Sequence, residues 1–110
     1  MIARIWRGAV AAKDSSDYAE YMEQTGLPSY RRIPGNRGVW MLTRPLGETV
    51  EFVMFSLWDS LEAIRSFAGE DPDVAVFYPE DDRFLVERDL SVSHFEVSAH
   101  AGPDALPPAG

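Results

Sequence analysis

Two runs rich in β-branched and aromatic residues, Gly38 to Arg44 and Thr49 to Leu57, flank the break RPLGE and lead directly into SLWDSLEAIRSFAG, where apolar residues recur at helical spacing. Such residues suit a pleated surface, and a five-residue break suits a hairpin. The helix that follows carries the capping pattern Asp59-x-x-Glu62, presents Leu61, Ile64 and Ala68 on one face flanked by Ala63 and Phe67, and stops at Gly69. A hairpin feeding straight into an amphipathic helix has to bury a sheet face against that helix, which restricts the chain to a layered α+β architecture.

The remaining segments extend this unit. Ile2 to Val10 alternates, with Ile2, Arg4 and Trp6 on one face and Ala3, Ile5 and Arg7 on the other, and reads as a first strand. KDSSDYAEYMEQTG predicts a helix with Asp14 as N-cap and Asp17 three residues on, Tyr18, Tyr21, Met22 and Thr25 at helical spacing, and Gly26 as the stop, with a further turn from Pro28 to Arg32. IPGNRG supplies turn residues. Pro72 and Pro79 break EDPDVAVFYPEDDRFLVERD, which predicts a partly helical covering loop packed by its aromatics. Ser91 to Val97 alternates again as a final strand.

The order βαββαβ is that of a ferredoxin-like sandwich, an antiparallel sheet with two helices on one face. Residues 1–97 form the expected domain. The tail 98–110, with three prolines and two glycines, is expected to be disordered. Two helices cover one sheet face, yet Trp6, Trp40 and Phe52 alternate with Ile5, Val39 and Val53, so both faces are apolar. A homodimer through the uncovered face resolves that excess.

A chain of 110 residues supports one core. Its net charge of −8 is concentrated from Glu70 to Asp89, where eight acids face only Arg83 and Arg88, and this repels nucleic acid. The acidic run reads as a solvated loop; a calcium site from Asp71, Asp73 and Glu80 to Asp82 lacks the EF-hand spacing. The absence of cysteine excludes disulfides and thiolate chemistry. No run reaches membrane-spanning length and the N-terminus lacks a signal h-region, so no membrane role and a cytoplasmic location are expected. His94 and His100 have no ligand-spaced partner, so no metal is expected, and neither a phosphate loop nor a nucleophile elbow is present.

MIARIWRGAV, PGNRGVWMLTR, FVMFSLWDSLEAIRSFAG and FYPEDDRFLVE...VSHFEV together resemble the antibiotic biosynthesis monooxygenase (ABM) superfamily of dimeric α+β barrels, over about residues 1–97. The resemblance implies a pocket between helices and sheet, where an electron-rich phenolic or polycyclic aromatic is oxidised by O2 without metal or flavin. It places Trp58 at the family's tryptophan between the third strand and second helix, as a stacking wall or a core filler. His94 is the candidate base and Tyr78 the candidate oxyanion donor, each with packing as the alternative. Trp6, Trp40, Phe52, Met54, Arg65, Phe77 and Phe84 are the candidate substrate contacts.

Two departures bear on the reaction. The family's pocket asparagine has no counterpart other than Asn36, in a turn, and Val74 to Tyr78 lacks the helical histidine of haem-opening relatives. No cofactor is expected, and haem is disfavoured. A cyclase or isomerase on the same fold, and a non-catalytic small-molecule-binding dimer, remain as alternatives.

Overall fold

The computed structural model describes residues 1–101; most of the expected tail, 98–110, lies outside them. Its sheet contains β1 (Ile2–Ala11), β2 (Asn36–Leu46), β3 (Thr49–Trp58), β4 (Leu85–Arg88) and β5 (Ser93–Glu96) in the order β2-β3-β1-β4, with β5 also on β1, and every pairing is antiparallel. β5 pairs with Ile2 to Ile5 and β4 with Gly8 to Val10, so two short strands stand where one was expected. The predicted strand Ser91 to Val97 contracts accordingly, Ser91 forming an isolated bridge with Val74.

Between β1 and β2 the chain runs through a 3-10 turn (Ala12–Asp14), α1 (Ser15–Tyr21), a π-helical turn (Met22–Gly26) and α2 (Leu27–Arg31). Gly26 does not stop the helix. Its φ is −68°, and a Cβ there would lie 2.3 Å from Met22 Cε, so the glycine admits a close approach rather than a left-handed cap.

The hairpin turn is tighter than RPLGE suggests, consisting of Gly47 and Glu48, with Gly47 at φ +64°. Pro45 and Leu46 stay in β2 because β2 is an edge strand, where proline's missing N–H costs no ladder bond. α3 (Leu61–Ala68) is capped one residue later than expected: Ser60 Oγ accepts from Ala63 N at 3.2 Å, while Asp59 pairs with Arg37 at 2.5 Å. Asn36 begins β2 instead of sitting in a turn, its Oδ1 accepting from Gly38 N across a bulge. Residues 69–80 then cross the helix-side face before α4 (Asp81–Phe84).

Register sorts the two faces. Ile2, Arg4, Trp6 and Gly8 oppose Trp58, Ser56, Met54 and Phe52, and Val39 and Met41 join them from β2, all beneath the helices. Ile5, Phe55, Trp40, Val53 and Leu42 occupy the other face. Trp40 is thus separated by the sheet from Trp6 and Phe52; alternation fixes faces within a strand, whereas the phase between strands depends on pairing and on the bulge at Asn36/Gly38. On the helix side Tyr18 packs edge-on to Phe52, with centroids 4.9 Å apart, and against Phe84 at 5.4 Å, tying α1 to β3 and α4.

Candidate functional site

Because β1 and β3 present their even-numbered residues to the helices, the interior at mid-sheet receives a cation and a large ring from β1, Arg4 and Trp6, beside Met54 from β3. Tyr18, Met22 and Tyr30 descend from the helical rod, and Val76, Tyr78 and Asp81 close the space from the covering segment. The enclosed cavity is about 10 Å3, the size of one water.

The polar groups around it are unusually well defined for a core. Asp81 is buried, with Oδ1 accepting from the Tyr18 hydroxyl at 3.2 Å and Oδ2 from Tyr78 N at 2.7 Å; burial raises its pKa above the ordinary carboxylate value. The Tyr78 hydroxyl meets Ser29 Oγ at 2.5 Å, and burial pushes the phenols of Tyr18, Tyr30 and Tyr78 upward. Arg4 is 2% exposed and donates from Nη2 to Val74 O at 2.9 Å. Its Nε has no partner among the described residues.

A second, larger depression lies at the β2 edge, a groove of about 540 Å3 between Glu23, Leu27, Pro28 and Arg31 of the helical rod and Val39, Trp40, Met41 and Leu42 of β2. Met41 lines the groove, Met54 lines the interior, and the two are register partners on adjacent strands. The groove therefore has the volume of a ligand site, and the interior has the chemical groups.

Three of the expected site residues, Trp6, Met54 and Tyr78, line the interior. Trp6 lies against Gly8, where a Cβ would be 2.5 Å from its ring, and its Nε1 donates to Asp89 O at 2.8 Å. Trp58 is fully buried, donates from Nε1 to Ser56 Oγ at 2.8 Å, and packs against Phe67 and Tyr30 with centroids 5.5 and 6.3 Å away. It fills the core between β3 and α3. Phe52 and Phe84 are core residues beside Tyr18, and Phe77 meets the Trp6 ring edge-on.

The remaining candidates lie elsewhere. Trp40 packs with Phe55 on the opposite face. Arg65 is on the solvent side of α3, bonded to Glu62 and to Glu70 O. His94 faces the same side of the sheet as Trp58, directly across from Arg4, but Nδ1 is held by Asp73 at 3.1 Å and the ring does not line the cavity. Arg4 and Asp81 are the chemically capable groups that the sequence reading left out. Arg4 shares an alternation phase with Trp6, which was the available signal; Asp81 sits in an acidic run that gave no hint that one member turns inward.

No protein-family profile and no curated protein matches the sequence. Among solved structures, a Bacillus cereus protein named as a candidate antibiotic biosynthesis monooxygenase superposes with a TM-score of 0.66 at 16% identity, over 94% of this chain and 97% of that one. The chain has the antibiotic biosynthesis monooxygenase fold. An arginine-to-serine variant of MhuD, with two manganese protoporphyrin IX groups bound per active site, superposes with a TM-score of 0.58 at 20% identity, over 93% of this chain and 99% of that one.

Neither the interior nor the groove offers a porphyrin iron a histidine, since none is present in either lining. His94 stands on an edge strand against Asp73 rather than on a helix over the cavity. The acids considered for calcium also diverge: Asp71 bonds Asp73 N, Asp73 holds His94, Asp82 pairs with Arg88 and Asp81 points inward. Among the described residues no three potential metal ligands converge. No described helix is long and apolar enough to cross a membrane.

Proposed function

We propose that the protein is a cofactor-independent monooxygenase acting on a phenolic or polycyclic aromatic small molecule in the interior between the helical rod and the sheet. The observation that carries the reading is Asp81, a buried carboxylate with a raised pKa, beside Tyr78 and Trp6 in an enclosed aromatic surround. Asp81, rather than His94, is the base of this reading. It takes a proton from the substrate's phenol or activated CH2, and Tyr78 donates to the oxygen that gains charge. The substrate carbanion reduces O2; one oxygen atom ends as the new carbonyl and the other leaves as water, so that a CH2 and O2 become C=O and H2O. The fold shared with a protein named as a candidate antibiotic biosynthesis monooxygenase supports the reaction class.

The cavity admits such a substrate only after rearrangement, since ligand sites are typically about 300 Å3 or more. Met41 lines the groove, Met22 and Met54 line the interior, and Met41 and Met54 are register partners. Unbranched methionines change rotamer at low cost, and their displacement joins groove and interior into a space of the required size. Oxygen uptake with an anthrone-type substrate, abolished in Asp81→Asn, tests the proposal. Turnover that survives Asp81→Asn removes the carboxylate from it, and absence of turnover across a panel of hydroquinones and anthrones removes the oxygenase reading.

We further propose that the protein is a homodimer through the outer sheet face. Ile5, Val53, Phe55 and Trp40 lie there partly exposed, with Leu42 49% and Phe95 57% exposed, and Glu51 among them is neutralised by Arg7 and Arg44. A self-complementary apolar face suits a twofold contact.

A further inference from the structure

Arg4 is a buried cation with no carboxylate in contact with it among the described residues. Of the five N–H donors of its guanidinium, one is bonded to Val74 O and the Tyr30 hydroxyl also accepts; Nε has no partner, and the charge lies 5.4 Å from the centre of the Phe67 ring. Of the two nearby acids, Asp81 is engaged by Tyr18 and the Tyr78 amide, while Asp73, exposed and hydrogen-bonded to His94, favours the charged guanidinium from a distance without touching it. The hydroxyls of Tyr30 and Tyr78 that surround Arg4 are neutral and held neutral by burial.

An unpaired buried charge is among the most costly features a fold can retain, and methionine or leucine at this place would fill the same volume without it. Stability is given up in this way at sites that bind. The cation lines the cavity together with Trp6, Met54 and Tyr78, so a flat ring admitted there lies beside the guanidinium. A planar, forked donor pairs best with a pair of acceptor oxygens or one fully charged oxygen.

We propose that Arg4 is the binding residue for an anionic oxygen on a planar aromatic ligand, so that the substrate class is aromatic acids or phenols bound as their anions. This rests on the interior being the ligand site, and it does not depend on oxygen being used. An aromatic carboxylate places its two oxygens against the fork; a phenolate places one. Arg4 also donates to Val74 O, which fixes the guanidinium against the covering segment.

Calorimetric titration of the full chain with 2-naphthoate, its methyl ester and 2-naphthol tests the inference, using the wild type, Arg4→Met, Arg4→Gln and Arg4→Lys. The expected result is that naphthoate binds more tightly than the ester by at least about tenfold, the factor given by about 1.4 kcal/mol. That preference disappears in Arg4→Met and Arg4→Gln and partly returns in Arg4→Lys. If phenolate is the bound form, naphthol affinity instead rises as naphthol ionises, and the rise is absent in Arg4→Met. Equal affinity for acid and ester, with no gain from naphthol ionisation, overturns the role of Arg4 while leaving the interior as a ligand site. Failure of all three compounds to bind the wild type overturns both. Thermal unfolding of each variant checks folding, and Arg4→Gln serves if Arg4→Met does not fold.

Discussion

Replacing Trp58 by alanine separates a residue that holds the fold from one that holds a ligand. The side chain is fully buried, bonded to Ser56 Oγ and enclosed by Phe67 and Tyr30. A buried aromatic removes roughly 150–250 Å2 from water, worth about 4–6 kcal/mol at about 25 cal/mol per Å2, and Trp→Ala substitutions cost about 3–5 kcal/mol. Against a domain stability of about 5–15 kcal/mol the variant is left marginal, and at about 4 °C per kcal/mol its Tm falls by roughly 12–20 °C. Trp58→Phe keeps most of the apolar volume but loses the bond to Ser56, and is expected to cost about 1–2 kcal/mol. Urea unfolding followed by far-UV circular dichroism gives both values, and naphthoate titration of Trp58→Phe should show affinity within about threefold of wild type. A loss below about 1 kcal/mol in Trp58→Ala, or loss of binding in a stably folded Trp58→Phe, refutes the core assignment.

Further outcomes follow from other contacts. Gly8→Ala drives a Cβ to within 2.5 Å of the Trp6 ring, so it should cost about 1–3 kcal/mol and weaken binding, measured by denaturation and titration. Asp81 has a raised folded pKa, so between the unfolded and folded values the native state binds more protons and stability falls as pH rises through that window. Asp81→Asn should abolish turnover while flattening that fall in a series of unfolding curves from acid to neutral pH. Met54→Ala, in the interior lining and paired in register with Met41 of the groove, should destabilise by about 2–5 kcal/mol yet speed ligand association in stopped-flow fluorescence. Phe55→Glu on the outer face should convert a dimer into a monomer in sedimentation velocity without altering far-UV dichroism.

The fold was legible because its strands and helices carry their own periodicity: β1, β3 and α3 appear within one or two residues of the expected bounds. The errors came where a local signal had a tertiary meaning. Gly26 looked like a helix stop and is a contact point for Met22; Pro45 looked like a loop residue and sits on an edge strand. β4 was hidden in FLVERD, because its four residues, Leu85–Arg88, carry a bulge at Val86 that breaks any alternation they could show. At the site, alternation placed Trp6 and Arg4 together but could not set the phase of Trp40 relative to them. The inward turn of Asp81 depends on a local bond from the Tyr78 amide and on one from Tyr18, which lies far away in sequence.

The most direct test is amide and indole chemical-shift mapping of the labelled protein during titration with 2-naphthoate. Ligand in the interior shifts the Trp6 indole N–H and the amides of Arg4, Val76 and Tyr78 together. Shifts confined to Glu23, Arg31, Trp40 and Leu42, with the Trp6 indole unmoved, place the ligand in the outer groove and contradict the assignment of the site.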